Sequence, residues 1–146
     1  MSDALSVYAL CTLVLCFKMF AVSCYQGYWR LRFVAFTNPE DAAVFKQRPQ
    51  PAERYEVARA ARAWANDLEN IPMFFALGGL AIALSAPAVA VAWLSILFTV
   101  ARVLHTLTYL AGVQPWRTLC YGVGILCLAG FAGLIVAALV TAWQTA

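Results

Sequence analysis

The chain has 146 residues, of which 64% are hydrophobic and only 12% charged, and its mean hydropathy is +0.76. A water-soluble domain of this size has no interior large enough for that much apolar surface, so the composition excludes one and points to an integral membrane protein. The net charge of +3 is small and dispersed, and no basic stripe carries interleaved aromatics, which excludes a nucleic-acid partner.

The first apolar span runs from about Ala4 to Trp29 and is interrupted only by Lys18. It lacks a basic leading segment and is too long for a signal-peptide core, so it is expected to be a retained membrane helix. A lysine at mid-span costs roughly 2.5–3.5 kcal/mol on insertion scales, so Lys18 is expected to face a partner helix or to snorkel. A charged loop with Pro39, Pro49 and Pro51 comes next, from about 30 to 55. The second span covers about Asn66–Ala86, the third about Ala88–Leu110 and the fourth about Thr118–Trp143. Each approaches or exceeds the roughly 20 residues that cross a bilayer as a helix. The alternation a membrane barrel needs is absent, so the expected fold is all-α: one domain over residues 1–146, a bundle of four transmembrane helices.

Seven of the ten Lys and Arg residues lie between Arg30 and Arg62. The positive-inside bias therefore puts the first loop, and the short loop from Ala111 to Arg117, on the cytoplasmic side with both termini opposite. The five cysteines fall in apolar stretches without metal-like spacing. They are expected to be free thiols packed among helices, with no metal site.

The polar residues at the start of the second span form a pattern. Arg62, Asn66, Glu69 and Met73 share one face by helical steps, as do Arg102, His105 and Tyr109 in the third span. Arg117 and Tyr121 stand one turn apart in the fourth. In an antiparallel hairpin, residues equally distant from the turn lie at the same depth. That sets Glu69 level with a point between Arg102 and His105, within about one helical turn of roughly 5 Å. The same counting levels Tyr109 with Arg117 and His105 with Tyr121. Pro72, beside this stratum, removes one helical hydrogen bond and is expected to kink the helix. Two readings stay open at this point. Glu69 with Arg102 makes a plain intramembrane salt bridge, with the tyrosines as interface aromatics and Arg30, Arg32 and Arg117 as topology anchors. Alternatively, the stratum is a cation-rich pocket for a small anionic, peptide-like ligand.

Three motifs in order carry a resemblance: Arg30-Leu31-Arg32 with Ala35-Phe36-Thr37-Asn38-Pro39-Glu40-Asp41-Ala42, then Asn66-Asp67-Leu68-Glu69-Asn70-Ile71-Pro72, then Ala101-Arg102-Val103-Leu104-His105-Thr106-Leu107-Thr108-Tyr109-Leu110. With them the chain resembles the MAPEG superfamily, membrane-associated proteins in eicosanoid and glutathione metabolism, from Arg30 to Tyr121. The resemblance implies a homotrimer of four-helix subunits, with glutathione bound between neighbours near the cytoplasmic face. It implies a glutathione site of Arg30, Arg62, Asn66, Glu69, Arg102, His105, Tyr109, Arg117 and Tyr121, in which Arg117 resembles the arginine that stabilises the thiolate. Asp41 matches an acid proposed to assist prostaglandin chemistry. Thr118 stands where the prostaglandin synthase branch has a serine. Ala65 and Trp64 replace an arginine of that branch and a histidine common to both branches. The NDLENI wording and Ala65 pull toward the glutathione transferase branch.

The function these features imply is a transferase or peroxidase that turns glutathione on small lipophilic electrophiles or lipid hydroperoxides arriving from the membrane lipids. Arg117, Tyr121, Thr118 and Asp41 are the candidate catalytic residues. A glutathione-dependent isomerase of lipid endoperoxides is the nearest alternative. A non-catalytic lipid-presenting protein is a further one. The membrane is either a bacterial inner membrane or the endoplasmic reticulum.

Overall fold

A computed structural model describes residues 3–144. It contains α1 (Asp3–Phe33), α2 (Pro39–Val44), α3 (Tyr55–Ala83), α4 (Ala88–Ala111) and α5 (Trp116–Gln144), and no strand among the described residues. The four long helices form one bundle: α1 packs on α3 and α4, α4 on α5, and α3 on both α4 and α5. By length and apolarity alone, α1, α4 and α5 qualify to cross a membrane. The fourth long helix, α3, is not among them; its first half carries Arg59, Arg62, Asp67 and Glu69.

Two boundaries differ from expectation. Helix α3 starts at Tyr55, well before Asn66, and α1 continues past Trp29 to Phe33. Apolarity marks where lipid ends, whereas helical hydrogen bonding continues wherever the backbone allows it; the alanine-rich stretch from Val57 to Ala65 favours that. The first loop is correspondingly shorter and holds α2, which opens on Pro39 after Asn38. Pro72 lies inside α3 on an exposed position and does not end the helix.

The core is aromatic. Phe74 of α3 stacks on Phe98 of α4 with centroids 4.7 Å apart and meets Phe131 of α5 edge-on at 5.8 Å. Tyr8 of α1 donates to the Phe75 carbonyl at 2.8 Å. Its ring occupies the place where a Cβ on Gly78 would lie, so glycine lets α1 approach α3 there. On α1 the buried residues Cys11, Leu15 and Val22 follow coiled-coil spacing, and Lys18 falls on the same stripe. Lys18 therefore faces partner helices. All five cysteines are free; Cys11 and Cys127 are buried, whereas Cys16 and Cys24 face outward instead of packing among helices.

The end of α4 sets the path of the chain into α5. Gly112 takes a left-handed φ of 75°, with Val113 N–H donating to Thr108 O and Gly112 N–H to Tyr109 O, a Schellman ending. Arg59 of α3 lies against Gly112 and donates to the Leu110 carbonyl at 3.2 Å, satisfying a terminal acceptor and tying α3 to the α4–α5 turn.

Candidate functional site

The charged centre of the bundle is a buried ion cluster. The inward stripe of α3 is Ala60, Ala63, Asp67, Asn70, Ile71 and Phe74. Asp67 Oδ1 lies 2.6 Å from Arg102 Nη2, and its Oδ2 lies 2.5 Å from Lys18 Nζ. Both Asp67 and Arg102 are 0% exposed. Thr106 Oγ1 donates to Asp67 Oδ2 at 3.5 Å. Two cations on one carboxylate thus tie α1, α3 and α4 together. The carboxylate that meets Arg102 is Asp67, not Glu69: two residues along a helix turn the side chain about 200°, and Glu69 is exposed on the opposite side.

Arg102 also donates to Asn66 Oδ1 at 2.7 Å. Beyond Asn66 lies a cavity of about 210 Å³ lined by Asn66, His105, Tyr109, Arg117, Thr118 and Tyr121. The hairpin levels are visible in it: the His105 ring lies 6.3 Å from that of Tyr121, and Arg117 Cζ sits 4.7 Å over the Tyr109 ring. His105 and Tyr109 are edge-on at 5.7 Å. His105 is buried and its Nδ1 has no hydrogen-bond partner. Because Arg102 occupies the oxygen of the Asn66 amide, its nitrogen remains the end that can donate. The wall therefore offers a guanidinium, an amide, an imidazole and hydroxyl groups, a set suited to an anionic, hydrogen-bonding ligand.

A family model described as the MAPEG family matches residues 8–137, nearly the whole bundle. The chain belongs to the MAPEG family. It is 38% identical to the human prostaglandin E synthase over 122 residues, 82% of this chain and 80% of that protein. It is 36% identical to the bovine microsomal glutathione S-transferase 1 over 130 residues, covering 84% and 83%. It is 40% identical to the human microsomal glutathione S-transferase 1 over 114 residues, covering 73% and 72%.

Not every candidate from the sequence reaches this cavity within the chain. Arg62 points outward, its Nε donating to the Ala58 carbonyl at 3.2 Å, and Glu69 and Met73 share that exposed side. Ala65 is also exposed and Trp64 is half-buried. Arg30 and Asp41 line a second cavity of about 210 Å³ with Phe36, Thr37, Asn38 and Glu53. There Glu53 Oε1 accepts from Arg30 Nη2 at 2.6 Å and from Thr37 Oγ1 at 3.2 Å. Sequence reasoning missed Asp67 and Glu53 as arginine partners. It also passed over Gln114, although its spacing of three and four residues before Arg117 and Thr118 was a usable signal.

Proposed function

We propose that this protein is a membrane-bound glutathione transferase with peroxidase activity, acting on lipophilic electrophiles and lipid hydroperoxides. The observation that carries the reading is Arg117 on the wall of the interhelical cavity, over the Tyr109 ring and beside the hydroxyls of Thr118 and Tyr121. The donor set fits glutathione: cationic and amide groups suit its carboxylates and peptide units, and a guanidinium beside hydroxyl donors suits a thiolate. Glutathione, when bound, supplies the sulfur nucleophile.

A thiol with an ordinary pKa near 8.5 is mostly protonated at neutral pH, and an adjacent guanidinium favours its ionised form. Arg117 is assigned that role, with Tyr121 and Thr118 as hydrogen-bond donors. Asn66, Arg102, His105 and Tyr109 bind and orient the peptide, Arg102 acting through the Asn66 amide it holds. Arg30, Asp41, Arg62 and Glu69 lie outside the cavity of one subunit, and a homotrimer gives them a place at the site from a neighbouring copy. An exposed arginine and glutamate on a bundle helix are costly against lipid, which supports a covered α3 face. The clustering of basic residues in the α1–α3 loop supports a cytoplasmic opening. The electrophile enters from the lipid side.

The test uses purified protein in lipid vesicles with glutathione and either an aryl halide or a lipid hydroperoxide. Wild type consumes glutathione, and Arg117→Ala loses about 100-fold in kcat, as for removal of a charge-stabilising donor. Equal turnover by the two sinks the assignment.

A second reading is favoured by the relatives named prostaglandin E synthase and by Asp41. It is isomerisation of a lipid endoperoxide. Product analysis separates the two, because isomerisation returns glutathione unconsumed.

A further inference from the structure

Arg117 sits just past a helix start, at the end of a long flexible side chain that is only half-buried. An arginine so placed samples many rotamers unless something fixes it. The ion pairs among the described residues are Lys18–Asp67, Arg102–Asp67, Arg30–Glu53 and Arg54–Glu56, and they leave Arg117 out. Its charge is therefore not neutralised by a neighbouring carboxylate.

What fixes it instead is Gln114, in the α4–α5 turn. Its amide is assigned, from the donors and acceptors around it, to the orientation that satisfies both ends, oxygen toward Arg117 and nitrogen toward Thr118. In it, Oε1 accepts from Arg117 Nε at 3.1 Å and also from Arg117 Nη2, while Nε2 donates to Thr118 Oγ1 at 3.2 Å. The turn makes this reach possible: the Gly112 ending of α4 redirects the chain, and Arg117 N–H and Leu119 N–H return to the carbonyls of Val113 and Pro115 as α5 begins. With the Tyr109 ring 4.7 Å from Arg117 Cζ on another side, the guanidinium is held by a face and an edge.

We propose that Gln114 is a positioning residue, a neutral fork that aims Arg117 and Thr118 into the cavity while leaving the guanidinium's charge free for an anion. This rests on the reading of the cavity as a glutathione site. The neutrality is the point. A carboxylate in the same place would aim Arg117 equally well and cancel the field that stabilises a thiolate.

Three variants separate aim from charge: Gln114→Met keeps the length and removes all three hydrogen bonds, Gln114→Glu keeps the acceptor and adds charge, and Arg117→Ala gives the reference background. The measurements are kcat, glutathione KM, and the pH profile of kcat/KM for the electrophile. Expected for Gln114→Met is a fall in kcat of about tenfold with glutathione KM within about twofold. Expected for Gln114→Glu is recovery of the wild-type rate at high pH only, with the apparent thiol pKa raised by about one unit. In the Arg117→Ala background Gln114→Met adds only the smaller loss carried through Thr118, about twofold, whereas a full, roughly tenfold additive loss overturns the proposal. Equal loss in kcat and KM by both Gln114 variants, with the pH profile unmoved, also overturns it, because that is the signature of a turn that merely folds less well.

The Arg117 Nε–H resonance of isotope-labelled protein in lipid nanodiscs reads the same contact without turnover. It is sharp in wild type and in Gln114→Glu, and broadened by solvent exchange in Gln114→Met. Insensitivity to Gln114→Met overturns the positioning role whatever the ligand. Wild type that shows the expected resonances but neither binds nor consumes glutathione overturns the glutathione reading instead.

Discussion

Two arginines of the bundle, Arg102 about two helical turns deeper than Arg117, are used in opposite ways. Arg102 is fully buried and committed: one carboxylate, Asp67, lies 2.6 Å from it, and Lys18 holds the other edge of that carboxylate. Arg117 is half-buried, pairs with no carboxylate among the described residues, and is held by an amide and an aromatic face. A fully buried guanidinium held to a carboxylate is taken up in tying helices together and orienting Asn66. One fixed by neutral groups is preorganised without being quenched, which is the condition for stabilising charge on a bound anion. The kind of partner, more than the presence of an arginine, distinguishes a lock from a reactive site.

The largest way to break this contrast is to remove the carboxylate. Asp67→Asn leaves Lys18 and Arg102 buried beside each other without a counter-charge. It is expected to lower stability by about 3–5 kcal/mol, the cost of an uncompensated buried charge. Lys18→Met leaves the Asp67–Arg102 pair matched and is expected to cost no more than about 1 kcal/mol, because apolar replacement of a buried ion is often near neutral. Unfolding titrations in mixed micelles measure both. Equal losses for the two variants would mean that Asp67 is not the shared anchor.

How far the sequence revealed this arrangement depended on which helical coordinate was needed. Depth was legible. Rise per residue is fixed at about 1.5 Å and the α4–α5 turn is short, so counting outward from it brings His105 to Tyr121 and Tyr109 to Arg117. Rotation was not. Asp67 and Glu69 are close in depth but point to opposite sides, and the choice between them is made by Ala60, Ala63, Ile71 and Phe74 seating α3 against its neighbours. A polar stripe through Arg62, Asn66, Glu69 and Met73 competes with that apolar one in the sequence, and only packing decides between them. The family motifs were legible as words, yet the fold of one chain puts Arg30 and Asp41 in a different cavity from Arg117.

That rotation sharpens the comparison at Glu69, the acid facing away from the bundle. In a trimer with a shared site, Glu69→Gln leaves subunit stability within about 0.5 kcal/mol, as for a surface change, and weakens glutathione binding by roughly tenfold, about 1.4 kcal/mol. Calorimetric titration reads the affinity, and cross-linking in vesicles reads the subunit count. Unchanged affinity would return Glu69 to the role of a lipid-interface charge and withdraw it from the site.

The smallest effect is expected at Arg30, which lies between the two cases. Like Arg102 it is paired, with Glu53 at 2.6 Å, but its side chain is 35% exposed and that of Glu53 26%. A pair in that setting is screened and contributes only about 0–1 kcal/mol, so Glu53→Gln should scarcely move the unfolding midpoint. The carboxylate nevertheless competes for the same guanidinium edge that an anionic ligand needs. If Arg30 serves glutathione, neutralising Glu53 lowers the glutathione KM by about twofold at low ionic strength, and the gain fades as salt screens the competing charge. A KM that rises instead would show that Glu53 aims Arg30 as Gln114 aims Arg117, and that a partly solvated carboxylate can orient a cation without quenching it. The contrast between charged and neutral partners would then hold only where water is excluded.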